Sequence, residues 1–178
     1  MIAVTKQVVA PERGRWQLYL VTSVVIGLAG LPLGPLVMTP AYVALQPQLG
    51  PMTLIAVEML FALLIDFPLA TLTAAVVTRV GRAQDAAEGA LAGVSFLTAF
   101  MVLIVACIAG SGLSPWIASL ALSDVFPQAV AAASAQFGPV TFGLMGFMFV
   151  AFDYCLCLLG GIAGFYAGKL LKRRGASE

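Results

Sequence analysis

Four long runs of predominantly apolar residues constrain what this chain can fold into. They cover residues 16–45, 52–80, 89–111 and 140–171, and the second and fourth are interrupted by isolated acidic residues. A bilayer core about 30 Å thick requires roughly 20 residues of helix, and each run is long enough to cross it. Only 10% of the residues are charged, against about 25% in an ordinary soluble domain. The sequence therefore predicts an all-α, polytopic helix bundle that forms a single integral membrane domain with four transmembrane helices.

The basic residues predict how the bundle is oriented in a cell membrane. They lie before the first run, between the second and third, and at the end of the fourth: Lys6, Arg13, Arg15, Arg79, Arg82, Lys169, Lys172, Arg173 and Arg174. The connections 46–51 and 112–139 contain none. Because Lys and Arg are retained on the cytoplasmic side in short loops, both termini and the leader 1–15 are predicted to be cytoplasmic. Segment 112–139 is then an external, interfacial segment, and within it residues 125–135 are expected to be helical.

Six shorter spans would produce the same charge pattern, with extra crossings at 36–45 and 116–135. The first of these has only about ten residues, which is too short for a helical crossing, so four spans are favoured. The first run contains Gly30, Pro32, Gly34, Pro35 and Pro40. Since proline removes a helical hydrogen bond, we expect no straight helix beyond residue 29. The rest of the run is either a kinked helix that ends in a Pro-rich external loop or a discontinuous helix.

Residue types that are absent exclude several classes of function. The chain has no histidine and three cysteines, none in a Cys-x-x-Cys pair, so the usual ligand sets of haem iron and zinc are missing. It also lacks the glycine-rich loop of nucleotide-binding proteins, and a formal net charge of +1 offers no basic surface for nucleic acid. The known signatures of intramembrane proteases do not occur. We therefore predict a protein that is not an enzyme and has no cofactor, no metal site and no nucleic-acid partner.

Three acidic residues, Glu58, Asp66 and Asp153, are predicted to lie at membrane depth. No Lys or Arg occurs at positions 16–78 or 83–168, so no salt bridge within a span can neutralise them. An ionised carboxylate in hydrocarbon costs at least ~2.5 kcal/mol. Each acid must therefore be protonated, hydrated in a cavity, bound to a cation or paired with another subunit. These three residues are the candidate proton, cation or substrate pathway.

Regular helix geometry predicts how two of these acids are related. Glu58 and Asp66 are eight residues apart, which in an α-helix places them about 80° apart around the axis and about 12 Å along it. Pro68 follows closely and should leave the carbonyl of Leu64 without its helical donor. A carboxyl beside such a carbonyl is a candidate proton or cation site.

Small residues recur at intervals of four in two of the runs. Gly89 and Gly93 begin the third run, and Gly160, Gly164 and Gly168 end the fourth. Such spacing lets the backbone of a second helix approach closely, so these glycines are predicted to be helix-packing residues, within the bundle or between copies. Just before Gly89, Asp85 and Glu88 have the spacing of a helix-capping box.

Two functions are compatible with these patterns. In the first, the carboxyls converge in a partly hydrated cavity, and the protein transports a proton, a cation or a small solute. In the second, it is a non-catalytic accessory or assembly subunit of a larger membrane complex, and the glycine faces are docking surfaces. The predicted partners are the lipid bilayer and either further copies of this chain or other membrane subunits.

Overall fold

The computed structural model describes residues 13–81, 83–110 and 126–174, and no strand occurs among them. The helices are α1 Arg13–Gly30, α2 Leu33–Leu49, α3 Thr53–Phe61, α4 Phe67–Arg79, α5 Ala86–Gly110, α6 Phe126–Phe137 and α7 Pro139–Arg174. A 3₁₀ turn, Gly50–Met52, connects α2 to α3, and a π turn, Ala62–Asp66, joins α3 to α4. The predicted all-α fold is confirmed. Residues 112–125, the first half of the segment 112–139 that is predicted to be external, lie outside the described part, and α6 overlaps the helix expected at 125–135.

Several helices are long and apolar enough to cross a membrane. Three of them meet this condition individually: Thr53–Arg79, Ala86–Gly110 and Pro139–Arg173. Helices α1 and α2 meet it as a pair that bends by 43°. The bundle therefore has three candidate spans, or four if the bent pair is one span.

The bend between α1 and α2 lies where the sequence places the end of the straight helix. Helix α1 ends at Gly30, and α2 starts after the turn at Leu31 and Pro32. Of the two alternatives for the rest of this run, the Pro-rich loop does not form: the chain is helical as far as Leu49, although Pro40 lies inside α2. The φ angle that proline imposes is itself helical, so each interior proline removes one hydrogen bond without requiring the chain to leave the helix.

The basic residues of the described part lie at one end of the bundle. Arg79 ends α4, and Lys169, Lys172 and Arg173 belong to the last turns of α7. Four elements meet there in one buried cluster, formed by Tyr19, Val77, Ala83 and Phe165. We call this the basic end. The turn between α2 and α3 and the helix α6 lie at the opposite end, which we call the far end.

The predicted glycines lie where α7 contacts its neighbours. A Cβ atom on Gly160 would lie 2.8 Å from the carbonyl oxygen of Phe67, and one on Gly168 would lie 2.7 Å from that of Ala75. A Cβ atom on Gly164 would overlap the carbonyl oxygen of Thr71 between them. The three glycines therefore follow successive turns of α4, at a distance that only residues without a side chain allow.

Gly89 and Gly93 form the corresponding contact between α5 and α7. A Cβ atom on Gly89 would lie 2.6 Å from the Cβ of Phe165, and one on Gly93 would overlap the carbonyl oxygen of Cys157. Helix α7 is thus enclosed by close backbone contacts on two sides, with α4 parallel to it and α5 antiparallel. In the structure all five glycines pack within one copy of the chain.

A capping box begins α5 at the spacing that the sequence indicates. The backbone N–H of Glu88 donates to Asp85 Oδ1 at 2.8 Å, and the Glu88 carboxylate accepts from the backbone N–H of Gln84. The first N–H groups of an α-helix have no partner within the helix, so the bond to Asp85 stabilises the first turn of α5.

The Asp85→Ala variant should unfold about 1 kcal/mol more easily, because the first turn of α5 loses a side-chain acceptor. Thermal unfolding in mild detergent measures this as a lower melting temperature. Gln84→Ala is the matched control, since only the backbone of Gln84 takes part. Equal melting temperatures for the two variants would show that the cap adds no stability.

Candidate functional site

A π turn at Ala62–Asp66 distorts the second candidate span beside Pro68. The backbone N–H of Phe67 donates to the carbonyl of Ala62, five residues earlier. Pro68 has no N–H to donate and its ring clashes with the carbonyl one turn earlier, which accounts for the widened turn at this position. Single π turns inside α-helices occur frequently at functional sites.

The π turn changes the relation between Glu58 and Asp66. A π turn takes up one more residue than an α turn. The angle between Glu58 and Asp66 around the helix axis therefore corresponds to a separation of seven residues in a regular α-helix, and not eight. Seven residues of α-helix bring the direction back to within about 20° of its starting point. The two carboxyls therefore project from nearly the same face of the helix, rather than about 80° apart as regular geometry predicts.

Asp66 is the most deeply buried of the three acids. Its side chain is 2% exposed, and its Oδ1 atom has no hydrogen-bond partner. The backbone carbonyl of the same residue accepts a weak bond from the Cys157 thiol at 3.8 Å. Cys157 is itself fully buried, so this contact joins the π turn to the middle of α7.

Glu58 and Asp153 line one cavity of about 210 Å³ between α3, α5, α6 and α7. Among the residues that line it, these two acids are the only ones with polar side chains. The other side chains are aliphatic, aromatic or methionine, such as Leu54, Met101 and Phe137. The cavity therefore combines two carboxyl groups with apolar walls.

The structure brings the three predicted acids into one region but not onto one surface. Asp66 does not line the cavity. It nevertheless lies within electrostatic reach of both Asp153 and Glu58, and Glu58 lies within reach of Asp153.

Helix α6 covers the cavity at the far end of the bundle. Ala129 and Ala133 pack against Leu54 in a small buried cluster, and Val130 and Phe137 are in contact with it. Val130, Ala133 and Phe137 also line the cavity. The helix expected in the interfacial segment therefore forms one wall of the site.

Sequence reasoning did not identify the apolar half of this site. Phe142, Met145, Phe149 and Asp153 all line the cavity and are spaced three to four residues apart, so they share one face of α7. This pattern is visible in the sequence. The pattern indicates a shared helix face only if a single helix covers these residues, and the structure shows that α7 is continuous from Pro139.

A second groove, of about 410 Å³, lies between α1 and α5. It is lined by apolar residues including Trp16, together with Ser95 and Thr98, and it contains no acidic side chain. Thr98 Oγ1 donates to the carbonyl of Val94 at 2.9 Å and lies 3.2 Å from the hydroxyl of Tyr154. The Thr98 hydroxyl thus bonds to the backbone of its own helix and contacts a hydroxyl on α7.

Replacing Pro68 tests the origin of the π turn. In the Pro68→Ala variant, a restored N–H allows the regular helical bonds to form, which should raise the melting temperature. The same change would rotate Asp66 away from the face of Glu58 and lower any transport that needs both. A lower melting temperature in detergent would show that packing, and not the proline, holds the π turn.

Comparison with known proteins finds no family model, no curated protein and no solved structure that matches this chain. Its class is therefore defined by its own features. It is a helix bundle with candidate membrane-spanning helices and a cavity lined by two carboxyls.

Proposed function

We propose that this chain is a multi-pass membrane protein that transports a proton, a cation or a small solute through the site formed by Glu58, Asp66 and Asp153. The observation that carries the proposal is the cavity whose polar side chains, Glu58 and Asp153, are both acidic. Acidic residues inside membrane spans are costly and are typical of ion and proton pathways. A purely structural role would not require three of them within electrostatic reach of one another.

The orientation belongs to the same proposal. The basic end carries Arg79, Lys169, Lys172 and Arg173, and this clustering on one side supports cytoplasmic termini. The cavity and its α6 wall would then lie towards the outside of the cell. Substrate would enter from that side and meet Glu58 and Asp153 before Asp66.

Flux through proteoliposomes tests the proposal. Proteoliposomes that contain the protein and enclose a pH-sensitive dye should change their internal pH when a membrane potential is applied. The Asp153→Asn variant should reduce this flux at least about tenfold. Asp85→Asn is the matched control, because it removes one acidic charge outside the cavity, and asparagine caps a helix as well as aspartate does. Flux equal to that of protein-free liposomes, for protons and for added cations, would contradict the proposal.

An accessory role in a larger membrane complex is the second candidate. It is favoured by the first half of α7, where Val140 is 84% exposed and Phe147 is 72% exposed. Gly143, on the same stretch, has open space around it, so a helix of another subunit can approach there. Native mass in mild detergent, after extraction from the original host, tests this role. Stoichiometric co-purification with other membrane subunits supports it, and a monomer or pure homo-oligomer contradicts it.

A further inference from the structure

The walls of the cavity define which class of cation it suits. Three phenylalanines, Phe137, Phe142 and Phe149, and two methionines, Met101 and Met145, line the same space as Glu58 and Asp153. Aromatic faces attract cations through their quadrupole, and do so most strongly where water is excluded. Methionine side chains adapt to apolar groups of varied shape. The lining therefore offers attraction for a positive charge and contact for an apolar body.

Divalent metal cations are a poor match for the same lining. Ca²⁺ takes six to eight oxygen ligands and Mg²⁺ requires six in near-octahedral geometry. The two carboxylates that line the cavity supply at most four oxygens, and the other residues that line it have apolar side chains. Within the described ranges, no three His, Cys, Asp or Glu side chains are grouped as ligands for one metal ion.

A proton alone does not account for the cavity either. Proton transfer needs carboxyls linked through water or hydroxyl groups. No Ser, Thr or Tyr side chain is among the residues that line the cavity, so the lining supplies no hydroxyl group between the two carboxyls. A volume of about 210 Å³ instead suits a small organic molecule, since ligand pockets are mostly apolar with a few polar groups that fix orientation.

We propose that the cavity binds a small organic cation, namely an ammonium group that carries an aromatic or aliphatic substituent. The charge lies between Glu58 and Asp153, and the substituent packs against Phe142, Met145 and Phe149 on α7. This inference names the substrate class of the proposed transport site and rests on that function. Asp66 lies outside the lining and interacts with the bound cation only through its charge.

Binding of benzyltrimethylammonium to the full-length protein in phosphatidylcholine nanodiscs tests the inference. This probe carries a permanent charge and an aromatic ring, and neopentylbenzene is its neutral analogue of the same shape. Saturable binding of the radiolabelled cation is expected. The neutral analogue should displace it at least about tenfold less well, because it lacks the Coulomb attraction between the ammonium and a nearby carboxylate. Na⁺, K⁺, Ca²⁺ and Mg²⁺ should not compete at similar concentrations.

Variants locate the binding in this cavity. Asp153→Asn and Glu58→Gln should each weaken binding about tenfold or more through loss of Coulomb attraction. Phe149→Leu should weaken it about threefold to tenfold through loss of the cation–aromatic attraction. Asp85→Asn should leave the affinity unchanged. Melting temperature and elution profile confirm that each variant is folded. If Asp153→Asn fails to fold, Glu58→Gln and Phe149→Leu still decide the result.

The outcomes separate this inference from the proposed function. Equal displacement by neopentylbenzene, displacement by an inorganic cation at similar concentration, or no saturable binding would each overturn the organic-cation site. Proton flux without ammonium binding would overturn the inference and leave the transport proposal standing. Ammonium binding without uptake of the probe into proteoliposomes would leave the binding site standing and contradict transport.

Discussion

Gly164→Leu should unfold the bundle or prevent its assembly, with a loss of about 3 kcal/mol or more in the free energy of unfolding. Even a Cβ atom at this position would overlap the Thr71 carbonyl oxygen and lie 2.8 Å from the Cβ of Ala74. The obstacle is partly backbone, so it cannot move aside by changing rotamer. Helices α4 and α7 would have to separate along their whole contact, and the neighbouring contact at Gly160 would be lost with it.

Gly143→Leu is the matched control on the same helix. A Cβ atom on Gly143 would have nothing within 4 Å, and leucine has the better helix propensity. Size-exclusion profiles and melting temperatures in mild detergent should therefore distinguish the two variants clearly. A Gly164→Leu protein that elutes and melts like the parent would show that α4 and α7 are not in close contact.

Asp66→Asn should abolish transport while the protein becomes more stable. Asp66 is 2% exposed and its Oδ1 has no hydrogen-bond partner. Burying an ionised carboxylate without a hydrogen-bond partner costs more free energy than burying a neutral amide of the same shape. The melting temperature should therefore rise, corresponding to about 1–3 kcal/mol. A residue that lowers stability and is retained for function is expected where a buried group takes part in transport.

Flux and thermal stability are expected to change in opposite directions in Asp66→Asn, so both are measured. Flux is measured in proteoliposomes and stability by thermal unfolding of the same preparation, with Asp85→Asn as the control. Unchanged flux in Asp66→Asn would exclude Asp66 from the pathway. A lower melting temperature would indicate that the carboxyl makes a stabilising interaction in the folded protein, and its role would then be structural.

Several features of this protein follow from the sequence alone because they depend on local chemistry. Long apolar runs determine that helices form, since backbone groups in a bilayer must bond within their own segment. The clustering of basic residues at one end follows from where they fall between the runs. The end of α1 at Gly30 and the capping box at Asp85 follow from the properties of glycine, proline and short acidic side chains.

Other features depended on the tertiary structure. The spacing of Gly160, Gly164 and Gly168 predicts a close contact, but a repeat of four does not specify the partner helix, and packing identified it as α4. The sequence likewise contains Phe142 and Phe149 without indicating that they share a cavity with Glu58, which is more than eighty positions away from either.

The π turn is the clearest example of a feature that the sequence alone does not determine. Proline predicts a disturbed helix near Leu64, yet it does not determine whether the helix kinks, breaks or widens by one residue, because these outcomes differ by amounts that packing against α7 decides. The widened turn rotates Asp66 onto the face of Glu58. The sequence thus determined which acidic residues lie in the candidate membrane spans, and the packing of the helices determined that two of them, Glu58 and Asp153, line one cavity.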